Sequence, residues 1–182
     1  MTTLLDRPTR GATAALEAGT WLLDPQTAVV GFRGRAHRFA PLVSAVFQDV
    51  RGAVSLLPDG QGRVDVEVDV RSLTTGCAAY DEILDRVDPF DAGRHPVARF
   101  SSTSLAWSGG VAEVDGTLAA GGGSADVRLS GSYRTTGDRT ALRVAGVVDR
   151  RALGLSLDVP GQGLLVPGRL ELHVDVHAVR VP

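Results

Sequence analysis

Several groups of residues in the 182-residue chain are of types that could do chemistry. Arg33, Arg35, His37 and Arg38 crowd the end of a strand-like run. Guanidinium groups at this density suit a phosphate or other anionic head group, held by charge-assisted bidentate hydrogen bonds. They suit better a solvated sheet edge on which arginines discourage strand pairing. Asp65, Glu67 and Asp69 invite a metal ion. Alternate side chains on a strand stand about 6–7 Å apart and converge on no common point, so a solvated face is expected instead. His173 and His177 lie ~13 Å apart along a strand, too far to share a metal, and are expected at the surface. Asp81, Asp85, Asp88 and Asp91 occupy a helix-and-turn setting that suits capping. Cys77 is the single cysteine, which excludes an intrachain disulfide and leaves a structural or incidental thiol.

The elements that must position these groups are mostly strands. Val64, Val66, Val68 and Val70 alternate with Asp65, Glu67, Asp69 and Arg71, the pattern of a half-buried antiparallel strand. Similar alternation marks strands at 20–24, 27–35, 97–107, 111–120, 127–134, 142–148 and 169–181. The stretch 42–57 reads as one long bent strand with a bulge at Gly52. The period changes only between Cys77 and Phe100. There Ile83, Leu84 and Val87 make one apolar stripe on about two turns of helix. Pro89 removes a backbone donor and should end that helix by Val87. The helix and the following Phe90 turn could plug one end of a β structure or gate it. Gly121–Gly123 is a turn and not a phosphate cradle, because no GK[ST] follows it.

Composition narrows the classes. A net charge of −2 gives no electrostatic footprint for nucleic acid or an anionic membrane. All 19 basic residues are arginine, which excludes Schiff-base lysine chemistry. No apolar run is long enough for a transmembrane helix or a signal-peptide core, so a cytoplasmic protein with no integral membrane segment is expected. Residues 1–18 read as a flexible tail and 19–182 as a single domain. Eight or more strands with short turns and one helix argue for an all-β, mainly antiparallel barrel or sandwich, and a helix that fills an open end better than it covers a sandwich face favours the barrel.

Three stretches carry a resemblance. Trp21-Leu22-Leu23-Asp24-Pro25 followed by Gly31-Phe32 resembles Y-x-I-D-P…V-G-F. Asp81, Leu84, Asp88, Phe90, Asp91, Pro96 and Phe100 resemble a helix-to-strand signature that ends D-x-F-D…P-x-x-x-F. Asp149-Arg150-Arg151-Ala152-Leu153-Gly154-Leu155 resembles N-R-x-x-F-G-L. These are the signatures of the YceI-like family of bacterial polyisoprenoid-binding proteins. Tyr80, Ile83 and Pro89 depart from its pattern, so any role the family gives those positions is not carried over. The resemblance implies an extended lipocalin-like barrel of about eight strands, with one short helix capping an end. It further implies a tunnel for a long isoprenoid, a polyprenyl phosphate or an isoprenoid quinone, for carriage, storage or stress response.

The interior positions expected to meet such a ligand are Phe32, Val54, Val66, Val68, Phe90, Phe100, Leu118, Leu129, Tyr133, Val144, Leu153 and Leu172, with Arg33, Arg35 and Arg38 toward its head group. Gly31, Gly52, Gly116, Gly131 and Gly146 recur among the inward positions. They either leave room for a ligand or permit tight curvature. No nucleophile elbow, zinc motif or dinucleotide fingerprint appears, and neither catalytic residue nor cofactor is expected. A cofactor-free enzyme acting on a small apolar substrate and a ligand-free interaction module are the rival readings. An exposed strand edge leaves a homodimer open.

Overall fold

The computed structural model describes residues 16–34, 43–156 and 167–181. Eleven strands form one sheet: β1 (Gly19–Leu23), β2 (Val29–Gly34), β3 (Val43–Phe47), β4 (Val50–Leu56), β5 (Gly62–Asp69), β6 (Leu73–Thr74), β7 (Val97–Ser108), β8 (Val111–Ala120), β9 (Gly123–Thr136), β10 (Arg139–Asp149) and β11 (Arg169–Val181). All pairings are antiparallel, and β1 joins β11 as well as β4, so the sheet closes on itself. The result is an eight-stranded closed barrel, because six of the strands combine two by two into three bent staves. β1 and β2 pair with successive lengths of the same partner, β11, at 178–181 and 171–175. β3 continues β4 in the same way, and β6 continues β5.

The expected single strand over 42–57 is therefore broken at Gln48 and Asp49. The physical reason is local: Ser72 takes both backbone donors. Gln48 N and Asp49 N donate to Ser72 Oγ at 3.2 and 3.0 Å, and Ser72 Oγ donates to Asp69 O at 2.7 Å. A 3-10 turn at Val70–Ser72 opens where the valine alternation ends, with Asp69 capping it through Arg71 N. All three staves bend at this one level, and β2, β3 and β6 extend the barrel beyond it.

The alternating faces of β5 are as the sequence dictates. Val64, Val68 and Val70 are buried and Val66 is half-buried, while Asp65 pairs with Arg63 and Glu67 with Arg99 on the outside. The single α-helix among the described residues, α1 (Ala78–Val87), stops at Asp88 in the left-handed conformation. Asp81 fixes its start by accepting from Thr74 Oγ1, Thr75 Oγ1 and Thr75 N, which together hold its carboxyl below the ordinary range. No residue of α1 is fully buried. Ile83, Leu84 and Val87 are only half-covered, so the helix face contributes less to closing the barrel than the stripe suggests.

The recurring glycines make close approaches. A Cβ at Gly131 would lie 2.0 Å from Arg143 O, and one at Gly116 would lie 2.5 Å from the Phe100 ring. Gly31 faces outward, since its neighbours Val30 and Phe32 line the interior. These positions let strands coil tightly and rings lie flat, and they leave no vacant space.

Candidate functional site

The barrel encloses a cavity of about 100 Å³ lined by side chains from nearly every stave, and no polar atom faces it. Val30, Phe32, Val54, Val66, Leu118 and Val174 are among its walls. Thr140 is the one hydroxyl residue in the wall, and its Oγ1 is turned to Arg134 O and Thr135 Oγ1. This volume is less than the ~150 Å³ of an apolar cavity that accepts one benzene. The barrel is hollow along this wall, with less free space than a long chain fills.

Its two ends differ. At the end beyond the bend, Phe90 meets Phe47 at 5.9 Å and Phe32 at 6.4 Å between ring centroids, and Phe32 meets Phe47 at 5.5 Å. Leu153 and Leu155 are buried beside them. Ser156 N donates to Pro89 O at 3.1 Å, and Arg150 Nη1 donates to Leu155 O at 3.1 Å. Asp88 accepts from Ala92 N, and Asp91 O accepts from Arg94 N and His95 N, which fixes the turn carrying Phe90. This end is sealed by buried rings and backbone hydrogen bonds.

The opposite end is formed by the turns after β4, β7 and β9 and by the start of β1. Leu16 reaches the cavity wall there, just ahead of β1. Trp21 Nε1 donates to Glu17 O at 3.0 Å, and the Glu17 carboxylate pairs with Arg180. Arg180 stands opposite Trp21 in the register and in phase with Val174, Val176 and Ala178, so it belongs to the cavity face of β11 at the rim. A Cβ at Gly19 would lie 3.1 Å from Arg180 Nε, so the guanidinium stem occupies the place of a missing side chain. Trp107 packs edge-on to Tyr133 at 5.3 Å, and its Nε1 is buried without a hydrogen-bond partner among the described residues.

Of the twelve interior residues expected from sequence, Phe32, Val54, Val66, Val68, Phe100, Leu118, Leu129, Val144 and Leu172 line the cavity. Phe90, Tyr133 and Leu153 are buried in the core but not in its wall. Arg33 points outward between Phe32 and Gly34 and pairs with Glu171 at 2.6 Å, which raises the arginine and lowers the carboxyl from their ordinary values. Arg35, His37 and Arg38 lie outside the described residues. His173 departs from the exposed surface expected for it. It lies opposite Gly31 and Ala145, with Nδ1 buried and unpartnered among the described residues, and burial together with Arg33 lowers its pKa. Among the described residues no cluster of His, Cys, Asp and Glu could hold a metal ion. Sequence reasoning missed Leu16 and Arg180. The alternation in β11 was followed to Val176, and carrying it four residues further would have put Arg180 on the inner face.

The profile of the YceI-like domain matches residues 21–178. The chain belongs to the YceI-like family. Solved structures share its fold at low identity. BcnA of Burkholderia cenocepacia superposes with a TM-score of 0.73 at 19% identity, covering 86% of this chain and 99% of that one. A polyisoprenoid-binding domain of Saccharophagus degradans implicated in plant cell wall breakdown gives 0.65 at 16%, covering 88% and 98%. The YceI protein of Campylobacter jejuni gives 0.66 at 19%, covering 80% and 90%. No curated protein sequence matches the chain. In this YceI-like barrel, the second and third signatures meet at the sealed end: the Asp88–Asp91 turn supplies Phe90, and the Asp149–Leu155 turn supplies Leu153 and Leu155. No helix among the described residues is long and apolar enough to cross a membrane.

Proposed function

We propose that the barrel binds a long-chain isoprenoid lipid, a polyprenyl phosphate or an isoprenoid quinone, without catalysis. Carriage, storage or a stress response is the use, in the cytoplasm. The observation that carries this reading is the cavity wall, which runs from Phe47 near the sealed end to Leu16 at the mouth and exposes only carbon. Hydrocarbon gains from transfer into such a slot, whereas a polar substrate would lose its hydration without compensation. The same absence of polar atoms speaks against acid–base chemistry inside the barrel, since no group there is in reach of a proton. The Saccharophagus domain named above as polyisoprenoid-binding supports the ligand class. With about 100 Å³ free, a prenyl chain must displace side chains to enter, so the ligand-bound state is wider than this one.

The test is organic extraction of the natively purified protein followed by mass spectrometry, paired with melting of delipidated protein. Geranylgeraniol or a long-chain quinone should raise the melting temperature by mass action. A delipidated protein that gains no stability from any prenyl alcohol, phosphate or quinone overturns the reading. Turnover of the added lipid would place the chain among enzymes.

A further inference from the structure

We propose that Arg180 anchors an anionic lipid head group, a phosphate or diphosphate ester, and that Leu16–Glu17 occupies the place of that lipid in the closed state. This deepens the lipid-binding reading above and rests on it. Three features of the barrel converge on it. No polar atom faces the cavity, so a charged head cannot lie inside without severe desolvation and must stay at an end. The end beyond the bend is shut by Phe32, Phe47, Phe90, Leu153 and Leu155, with Phe47, Phe90 and both leucines almost wholly buried. At the other end the cavity face of β11 terminates in Arg180, whose side chain retains 33% exposure.

The dipeptide before β1 imitates an amphiphile. Leu16 presents hydrocarbon to the cavity and Glu17 lays a carboxylate on Arg180. Leu16 also packs against the core, and one further hydrogen bond holds the dipeptide among the described residues, from Trp21 Nε1 to Glu17 O at 3.0 Å. Glu17 itself is 72% exposed in its side chain, so the pair sits at the rim where an incoming anion can exchange with it. A phosphate ester offers more acceptor oxygens and more charge than a carboxylate, and it suits the planar guanidinium fork. A prenyl phosphate entering chain-first would displace Leu16 with its tail and Glu17 with its head. No covalent step is involved.

Isothermal titration of the delipidated full chain with geranylgeranyl monophosphate, geranylgeraniol and inorganic phosphate tests this. Wild type should bind the prenyl phosphate more tightly than the alcohol and should not bind inorganic phosphate measurably. Arg180→Gln should weaken the prenyl phosphate roughly tenfold, the scale of a charge-assisted hydrogen bond, and leave the alcohol within about twofold. Glu17→Gln should strengthen the phosphate more than the alcohol. If the alcohol binds and Arg180→Gln leaves the phosphate-to-alcohol ratio unchanged, the head-group assignment is overturned while the barrel reading stands. If wild type binds neither prenyl compound, both fall. Tight binding of inorganic phosphate alone would overturn the lipid as source of the anion.

Discussion

Phe90 stacks on Phe32 with ring centroids 6.4 Å apart, joining the turn after the only described helix to a strand near the start of the chain. Phe47 closes the triangle, so three segments distant in sequence share one aromatic seal. Phe90 is 3% exposed. Truncation to alanine should therefore cost about 3–5 kcal/mol of stability, measured by denaturant unfolding of delipidated protein. A loss under about 1 kcal/mol would show that the seal is not part of the cooperative core. The lipid-binding reading adds that the variant should gain a different increment in melting temperature from geranylgeraniol than wild type does.

The two faces of β5 should respond oppositely. Val68 is 6% exposed in the core, and Val68→Asp places a charge among apolar side chains, with an expected loss of several kcal/mol. Glu67→Ala breaks an ion pair with Arg99 in which both side chains are more than half exposed, and should change stability by less than about 1 kcal/mol. Equal thermal shifts in the two variants would contradict the inward and outward assignment.

Arg33 and Arg180 should separate cleanly. Arg33 is tied to Glu171 on the outer wall, so Arg33→Gln should leave the affinity for geranylgeranyl monophosphate unchanged. A loss as large as that from Arg180→Gln would move the head-group site to the outer wall. Stability should change little in either case, since the Arg33–Glu171 pair is nearly half exposed at both partners.

His173 should make stability fall on mild acidification. Burial, and then Arg33, lowers its folded pKa below the ordinary value near 6.5. Between the folded and unfolded values the unfolded chain binds more protons, so stability rises with pH in that window. The contribution is intact above about pH 6.5 and declines as pH falls toward the folded pKa. Melting curves from pH 8 to 5 should show this slope, and His173→Asn should flatten it. Asp81 acts lower on the scale. Its bonds to Thr74 and Thr75 stabilise the fold above the ordinary carboxyl range and are lost as pH falls through its depressed value. An Asp81→Asn variant should be less stable than wild type at pH 7, with the gap closing in acid.

What the sequence determined by itself was whatever depends on neighbours a few residues away. The valine alternation of 64–70 fixed two faces because strand side chains alternate with period two, and Pro89 ended the helix because it lacks a backbone donor. The alternating strands pointed to an antiparallel barrel or sandwich, the single helix favoured the barrel and the family resemblance implied it, and nine of the twelve expected interior positions do line the cavity. The tertiary structure alone decided the rest. Ser72 breaks the long strand at Gln48 and Asp49 from 24 and 23 residues away. His173 has its Nδ1 buried although it stands in phase with the exposed, ion-paired carboxylates of Glu171 and Asp175. Glu17 and Arg180 meet across 163 residues only because β1 closes the barrel on β11. Local pattern specifies which way a side chain faces. Which other side chain it meets, and whether the space between them is filled, follows from closure, and closure is a property of the whole sheet.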